Sequence, residues 1–364
     1  MTFLARAGNR ITDVAGIAVG HHDRIDDEVV VATGTEPGVG WATGTTVVTV
    51  DAGATSAVDV RGGGPGTRET DLLEPGNSVR GANAIVLTGG SAYGLSAADG
   101  VMRGLEARGI GLPMDEQGHV VPIVPAAVIF DLPVGEWARR PDEEFGALAL
   151  DAADADFAVG SVGAGAGARA GALKGGVGTA SITLADGPAR GLTVGALVVA
   201  NPVGQVIDPA TGLPWGGDDL AAYGLGAPAA GELTRLRELE AKGTVLNTTI
   251  GVVATDATLS VPSVRRLAMS GHDGLARAVR PAHSPLDGDT LFAVATGRRT
   301  ADPEAAVDIP PGMEPEIAVV AALAEASATV VQRAIVSAVV HATSVAGIPS
   351  YRDVVASAFG WDSP

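Results

Sequence analysis

Three small polar residues, Asn247, Thr248 and Thr249, stand directly before the apolar run 250–254. Asn and Thr often make side-chain turns at strand ends, so the triplet could simply begin a strand. It also fits the N-x-[ST] glycosylation acceptor. A third interpretation is chemical: the chain is cut between Asn247 and Thr248, and the Thr248 hydroxyl becomes a nucleophile. Its activating base would be the new α-amine, whose ordinary pKa of about 7.7–8.0 suits proton transfer near neutral pH.

A second chemical candidate is the pair of carboxylates in Asp287-Gly288-Asp289, which precedes the apolar run Leu291–Thr296. Asp-Gly is typical of a tight hairpin turn, and the local pattern alone favours that interpretation. Two acids on one turn could instead orient a nucleophile or bind the amine of a substrate. Both interpretations stay open at this level.

The glycine-rich stretch Gly160–Gly178 could suggest a nucleotide-binding loop, but its spacing does not fit. Lys174 is followed by Gly175 rather than by Ser or Thr, so the phosphate-binding motif is incomplete. The stretch therefore predicts a flexible or tightly turning loop. Lys174, the only lysine within it, is the one residue there that we single out for chemistry.

Metal and cofactor chemistry has little support in the sequence. Cysteine is absent, and the histidines form neither an H-x-x-x-H pair nor a cluster of ligands. We therefore expect no metal ion and no cofactor. The histidines are each predicted to lie in the core or on the surface; they are His21, His22, His119, His272, His283 and His341.

Composition narrows the class of protein. The formal charge of −18 argues against nucleic acid and against an anionic membrane surface as partners, because both require a basic surface. The most apolar helical segment, Ile317–His341, contains Glu325 and Arg333 and is predicted to be a buried helix rather than a membrane span. The N-terminal residues show no signal-peptide pattern. We expect a cytoplasmic protein in which Asn247 is not glycosylated.

Strand and helix patterns alternate without a strict βαβ order, which favours an α+β or layered αββα fold in a single catalytic domain. Residues 133–156 and 208–243 are predicted surface connections, and the second would let the ends of a chain cut at residue 247 separate. The predicted strands are Thr45–Val50, Ser56–Val60, Ala84–Leu87, Val120–Phe130, Leu192–Ala200, Thr249–Thr255 and Leu291–Thr296. The predicted helices are Ser91–Arg108, Ser263–Val279 and Glu316–Ser344.

Five blocks in order resemble the DmpA-type peptidases, a family that includes L-aminopeptidase/D-esterases, β-peptidyl aminopeptidases and nylon-oligomer hydrolases. The similarity runs from residue 11 to beyond residue 340, which is nearly the whole chain. The blocks are RGGGPGTRETDLLEP, LTGGSAYGLSAADGV, VVANPVGQVID, NTTIGVVATDA and GLARAVRPAHSPLDGDTLFAVATG.

The resemblance implies an αββα sandwich similar in layering to N-terminal-nucleophile hydrolases. It also implies self-cleavage into an α fragment 1–247 and a β fragment 248–364, assembled as a homo-oligomer of αβ units, often a tetramer. Thr248 matches the nucleophile. Four further positions match polar residues of the family's site: Asp287, Asp289, Lys174 and Asn201. The nylon-hydrolase branch has Tyr where this chain has Phe130, so one hydroxyl contact is missing.

The implied activity is an aminopeptidase or amidohydrolase acting on small peptides, amides or esters through a Thr248 acyl-enzyme. Asn201 is a candidate oxyanion donor, while Lys174, Asp287 and Asp289 could assist proton movements. Two alternatives remain. An acyltransferase of the ornithine acetyltransferase type would pass the acyl group to an amine. An uncleaved, non-enzymatic binding protein would use Asn247-Thr248 only as a turn.

Overall fold

The computed structural model describes residues 3–4, 8–51, 53–215, 223–239, 247–302, 305, 307 and 309–360. The β-strands in these ranges are β1 (Phe3–Leu4), β2 (Ile17–Ile25), β3 (Ala42–Val50), β4 (Thr55–Val60), β5 (Thr67–Arg68), β6 (Ala84–Thr88), β7 (Leu112–Pro113), β8 (Val120–Val121), β9 (Ala126–Val128), β10 (Arg169–Ala170), β11 (Leu173–Lys174), β12 (Gly176–Leu184), β13 (Thr193–Ala200), β14 (Ile250–Ala257) and β15 (Thr290–Arg299). The α-helices are α1 (Ala97–Glu106), α2 (Glu143–Asp151), α3 (Ala230–Glu238), α4 (Val261–Ala278), α5 (Glu316–Val340) and α6 (Tyr351–Val354).

Two mixed sheets form the centre of the molecule. The six-stranded sheet has the order β1-β12-β13-β14-β15-β4, and the five-stranded sheet has the order β2-β3-β6-β9-β5. Neighbours pair antiparallel except for β14 with β15 and β6 with β9, which are parallel. Two short hairpins, β7–β8 and β10–β11, lie outside these sheets. Mixed sheets of this kind agree with the predicted α+β class.

Alternating side chains divide the interior into layers, because successive residues of a strand point to opposite faces. In β14, Val252 belongs to the core between the sheets, while Val253 joins the core beneath α4 and α5. In β3, Val48 faces the core between the sheets and Val47 packs with α1 and α2. The layers are therefore α4/α5, six-stranded sheet, five-stranded sheet, α1/α2. This is the predicted αββα sandwich.

Helix α5 packs along α4, β12 and β13. Within the described residues it is the one helix long and apolar enough, by length and composition, to cross a membrane. Its residues Leu323, Val331 and Ile335 are fully buried in the core beneath the six-stranded sheet. The prediction of a buried core helix in this segment is confirmed.

The predicted loop at Gly160–Gly178 is only partly correct. Its last residues begin β12, the neighbour of β13 in the six-stranded sheet. A Cβ atom added to Gly178 would lie 2.0 Å from the carbonyl oxygen of Ala334, so the glycine lets α5 pack directly on the strand. Glycines in this stretch therefore allow close packing of the strand backbone against α5 as well as tight turns.

Other predicted elements also need correction. Residues 133–156 contain α2, whose first turn is capped by the Asp142 carboxylate, which accepts from the backbone N–H of Glu144 and Phe145 at 3.0 and 3.3 Å. Strand β2 was not predicted. The predicted strand Val120–Phe130 is two short strands, β8 and β9, separated by residues 122–125. The predicted connection 208–243 contains α3, and its residues 216–222 and 240–243 lie outside the described residues.

Candidate active site

Thr248 lies two residues before β14, the strand between β13 and β15 in the middle of the six-stranded sheet. Asn247, Thr248 and Thr249 are 2%, 5% and 0% exposed. The backbone N–H of Thr248 donates to the carbonyl oxygen of Asn201 at 3.1 Å. The N–H of Thr249 donates to Asp289 Oδ1 at 2.8 Å. Two of the sequence-predicted residues thus hold the nucleophile candidate from opposite sides.

The peptide bond between Asn247 and Thr248 has donors at its carbonyl oxygen. Thr248 Oγ1 donates to the Asn247 carbonyl oxygen. The backbone N–H of Gly288 donates to the same oxygen at 3.0 Å. A Cβ added to Gly288 would lie 2.7 Å from Thr248 Oγ1, so only glycine lets this turn approach the hydroxyl without displacement. The hydroxyl and the carbonyl of its own preceding bond are therefore held together.

The turn Asp287-Gly288-Asp289 is not a hairpin. It follows α4 and leads into β15, which runs parallel to β14, so no antiparallel partner precedes it. Residues Asn247 and Asp287 form an isolated parallel bridge instead. The local hairpin interpretation is wrong because the pairing partner of this turn is distant in sequence.

Asp289 is a fully engaged carboxylate. One oxygen accepts from Thr249 N–H, as above, and Oδ2 accepts from His283 Nδ1 at 2.9 Å and from the His283 backbone N–H at 3.2 Å. Only 2% of the residue is exposed. These bonds make Asp289 a structural link between the turn and the residue that follows Thr248.

Asp287 has a different environment. Its Oδ2 accepts from the Ser284 backbone N–H at 2.7 Å, while Oδ1 is buried and has no hydrogen-bond partner among the described residues. Burial raises the pKa of the Asp287 carboxyl, and the negative charge of Asp289 adds to the increase. A buried carboxylate oxygen without a partner is costly unless a substrate or proton uses it.

A glycine segment, residues 61–64, supports this acidic turn from the other side. The backbone N–H of Arg61 donates to the Asp289 carbonyl oxygen at 2.9 Å, and that of Gly64 donates to the Asp287 carbonyl oxygen at 2.8 Å. A Cβ added to Gly62 would lie 2.2 Å from the Asp287 carbonyl oxygen. The sequence contained the signal, three consecutive glycines, but not the partner.

Asn201 follows the last residue of β13 and is fully buried. Its Oδ1 accepts from the Arg169 N–H at 2.9 Å, and its Nδ2 donates to the Phe130 carbonyl oxygen at 3.3 Å. The side chain thus connects the end of β13 to β10 and to the segment after β9, next to Thr248. Its use as an oxyanion donor stays a prediction.

Lys174 is fully buried in the hairpin β10–β11, directly opposite Arg169. Its Nζ donates to the carbonyl oxygens of Gly165 and Gly175 at 2.7 and 2.9 Å. Burial lowers the pKa of the Lys174 amine to about 7, against the opposing effect of the carboxylates of Asp131 and Asp23. Lys174 is thus paired directly with Arg169, the residue that binds Asn201, and its direct catalytic part stays a prediction.

Two residues near the site were missed by the sequence reasoning. Asp131, 3% exposed, accepts from the Gly90 backbone N–H and from Thr43 Oγ1, each at 2.6 Å. His283 binds Asp289, although it was assigned to the core or the surface with no partner. A single acid after an apolar run, or a single histidine, is too common a pattern to indicate a site.

The model of peptidase family S58 matches residues 9–352. The chain belongs to this family. It is therefore a peptide-bond hydrolase of the aminopeptidase/amidohydrolase class, and the resemblance to DmpA-type peptidases is confirmed.

Curated relatives and solved structures are similar to this chain over most of its length. An uncharacterized aminopeptidase of Mycobacterium tuberculosis is 55% identical over 97% of this chain and 99% of its own length. A 6-aminohexanoate-oligomer endohydrolase of Kocuria sp. is 34% identical over 70% of this chain and 69% of its own length. The L-aminopeptidase D-Ala-esterase/amidase of Ochrobactrum anthropi, whose structure is described as a variant of the Ntn hydrolase fold, is 24% identical. It superposes with a TM-score of 0.66 over 94% of this chain and 88% of that one.

Proposed function

We propose that the chain cuts its own Asn247–Thr248 bond and that the freed Thr248 then hydrolyses N-terminal amino-acid amides, short peptides or esters through an acyl-enzyme. One observation carries the proposal: Thr248 Oγ1 contacts the carbonyl oxygen of the bond that must be cut, and Gly288 N–H donates to the same oxygen. Attack requires the nucleophile at the carbonyl group and a donor where negative charge develops.

Self-cleavage proceeds by an N→O acyl shift. Thr248 Oγ loses its proton and bonds to the Asn247 carbonyl carbon, whose oxygen becomes negative and is stabilised by Gly288 N–H. The C–N bond then breaks, the nitrogen takes a proton, and water hydrolyses the resulting ester to an Asn247 carboxylate and a free Thr248. Asp287 is the proposed proton acceptor because its pKa is raised and Oδ1 has no partner among the described residues.

In turnover the Thr248 α-amine acts as the base for its own hydroxyl. The two acids then divide the remaining work. Asp289, whose oxygens are bonded to Thr249 and His283, keeps the nucleophile in place. Asp287, with its buried Oδ1, binds the protonated amine of the substrate. Asn201 and Lys174 line the same region, and we assign them to stabilisation of the oxyanion and of the local charge.

The substrate class rests on the relatives. One is named an aminopeptidase and another an oligomer endohydrolase for 6-aminohexanoate, and both names denote cleavage of amide bonds. The two fragments would stay associated, because β13 and β14 lie on opposite sides of the cut and pair over six residue positions. Assembly of several αβ units in the cytoplasm completes the proposal, by analogy with the family.

Denaturing electrophoresis with mass measurement tests the proposal. The purified protein should give fragments of 247 and 117 residues, the smaller beginning Thr-Thr-Ile-Gly-Val. Thr248→Ala should stay one inactive chain, whereas the control Thr329→Ala, at a half-buried position of α5, should be cut and active. A Thr248→Ala chain that still splits at this bond, or an active wild type of undivided mass, would refute the mechanism. A product linked to an added amine acceptor rather than to water would instead indicate an acyltransferase.

A further inference from the structure

We propose that His283 is a positioning residue: it holds the Asp289 carboxylate in the orientation that fixes Thr249 and hence Thr248. This inference rests on the proposed function, because it concerns the alignment of the same nucleophile. Neither the family resemblance nor the comparisons assign a part to this histidine.

The first support is that the two carboxylate oxygens of Asp289 bind different partners. Its Oδ1 accepts from Thr249 N–H at 2.8 Å, and its Oδ2 accepts from His283 Nδ1 at 2.9 Å. Rotation of the carboxylate about its own bond would break both contacts together. The histidine ring therefore sets the orientation of the oxygen that anchors the residue after the nucleophile.

The second support is the proton at Nδ1. A carboxylate oxygen can only accept, so the nitrogen that faces it must carry hydrogen. That requirement is met by the neutral Nδ1–H form and by the cation alike. The bond to Asp289 thus places a hydrogen on Nδ1, and the ring acts as a fixed donor to the carboxylate.

The third support is the packing of the ring against a second histidine. His272 on α4 is fully buried, and its ring meets that of His283 edge to face with centroids 5.0 Å apart. His272 Nε2 donates to the Asp59 carbonyl oxygen at 3.0 Å. Burial lowers the pKa of His272 to about 4, so this ring is neutral near pH 7 and adds no positive charge beside His283.

Two charged residues of the described chain, Asp59 and Arg61, connect the histidine pair to the acidic turn. Asp59 Oδ2 lies 3.8 Å from His272 Nε2 and accepts from Arg61 Nε at 2.8 Å. The backbone N–H of Arg61 donates to the Asp289 carbonyl oxygen at 2.9 Å. The histidine pair therefore lies between β4 and the acidic turn, where a shift of either ring is passed to Asp289.

The backbone of His283 offers a conservative variant. Its φ angle is +57°, a left-handed conformation that is uncommon for residues with a side chain but is tolerated by Asn. In this conformation the backbone N–H and Nδ1 both bond to Asp289 Oδ2. His283→Asn keeps the backbone and a side-chain donor, while His283→Ala loses the donor.

The test compares these variants with His119→Ala, a histidine exposed near the hairpin β7–β8. We expect His283→Ala to slow self-cleavage and to lower kcat by about 10- to 100-fold, with KM changed less than about threefold, because displacing a reacting group by about 1 Å costs up to about 100-fold. His283→Asn should lose less, and added imidazole should raise the rate of His283→Ala. His119→Ala should match the wild type.

Thermal unfolding separates positioning from folding. A His283→Ala protein that cuts itself and turns over like the wild type would overturn the inference. So would a loss that follows the unfolded fraction and is neither reduced in His283→Asn nor restored by imidazole. Failure of the proposed function is recognised independently, since the wild type itself would then remain one inactive, uncut chain.

Discussion

The glycine segment behind the acidic turn gives the sharpest test of how the site is positioned. Gly62→Ala adds one methyl group where the backbone of residues 61–64 packs against the turn. That Cβ would lie 2.2 Å from the Asp287 carbonyl oxygen and 2.4 Å from the Asp289 nitrogen. Both neighbours are backbone atoms, so neither can be relieved by a change of rotamer. The backbone of the turn and that of the glycine segment must therefore move apart.

The size of the movement follows from these distances. Ordinary van der Waals contact begins near 3.4 Å, so the turn and the glycine segment must separate by roughly 1 Å. Strain of this kind typically costs about 1–3 kcal/mol of stability. Catalysis is more sensitive, because a misplacement of about 1 Å can cost about 100-fold in rate. We therefore expect Gly62→Ala to fold but to mature and turn over about 10- to 100-fold more slowly.

Gly64→Ala is the matched control. The same methyl group added two residues later would lie 3.8 Å from its nearest neighbour, the Asp287 carbonyl oxygen. Neither glycine has a left-handed φ, so alanine carries no backbone penalty of that kind at either position. We expect Gly64→Ala to cut itself and turn over within a few-fold of the wild type.

The assay follows self-cleavage over time by denaturing electrophoresis and turnover with an aminoacyl p-nitroanilide, with urea unfolding in parallel. The reasoning predicts a large difference in rate between the two variants and a small difference in stability. Equal rates for Gly62→Ala and Gly64→Ala would refute the argument that the glycine segment positions the acids.

Two further predictions concern titrating groups. Asp287→Asn keeps the shape of the side chain but removes its charge, so self-cleavage should fall by at least about 100-fold without loss of folding. Because the pKa of Asp287 is raised, the wild-type rate should also decline on acidification at a pH above the pKa of an ordinary Asp. A decline only near pH 4 would contradict this. The pKa of Lys174 is lowered to about 7 in the folded chain, so between about pH 7 and pH 10 the unfolded chain binds a proton that the folded chain does not, and wild-type stability should rise with pH. Lys174→Met should abolish this rise. Equal pH slopes for the two proteins in urea unfolding would contradict the prediction.

The layers of the fold were predictable because their strands are long, apolar and bounded by turn residues. Strand β12 was not, since its glycines are typical of a loop. Glycine is needed at position 178 because a Cβ there would lie 2.0 Å from the carbonyl oxygen of Ala334, which belongs to a helix far along the chain. The local sequence indicates the conformational preference of a residue, but it does not show which distant element the residue must pack against.

The same limit applies to the site. Thr248, Asp287 and Asp289 were singled out by residue type and position and then matched to a family pattern, whereas Asn201 came from the pattern alone. The structure brings these four residues together. The bond between His283 and Asp289, six residues further along the same segment, was not predicted, because a single histidine is typical of many settings. Residues that do chemistry recur in patterns, whereas residues that hold them are defined by contacts.

A cut at residue 247 would alter the chemistry of the site far more than its architecture. Asn247 is held by Leu286 and Gly288, and Thr248 by Asn201, so each side of the bond has anchors that do not depend on the bond itself. The new amine would form next to the Asn201 carbonyl oxygen, which already accepts its hydrogen. A base would thus appear beside a hydroxyl that is already in position. Under the proposed mechanism, the six-stranded sheet would therefore hold the hydroxyl and its neighbours in place before the amine exists.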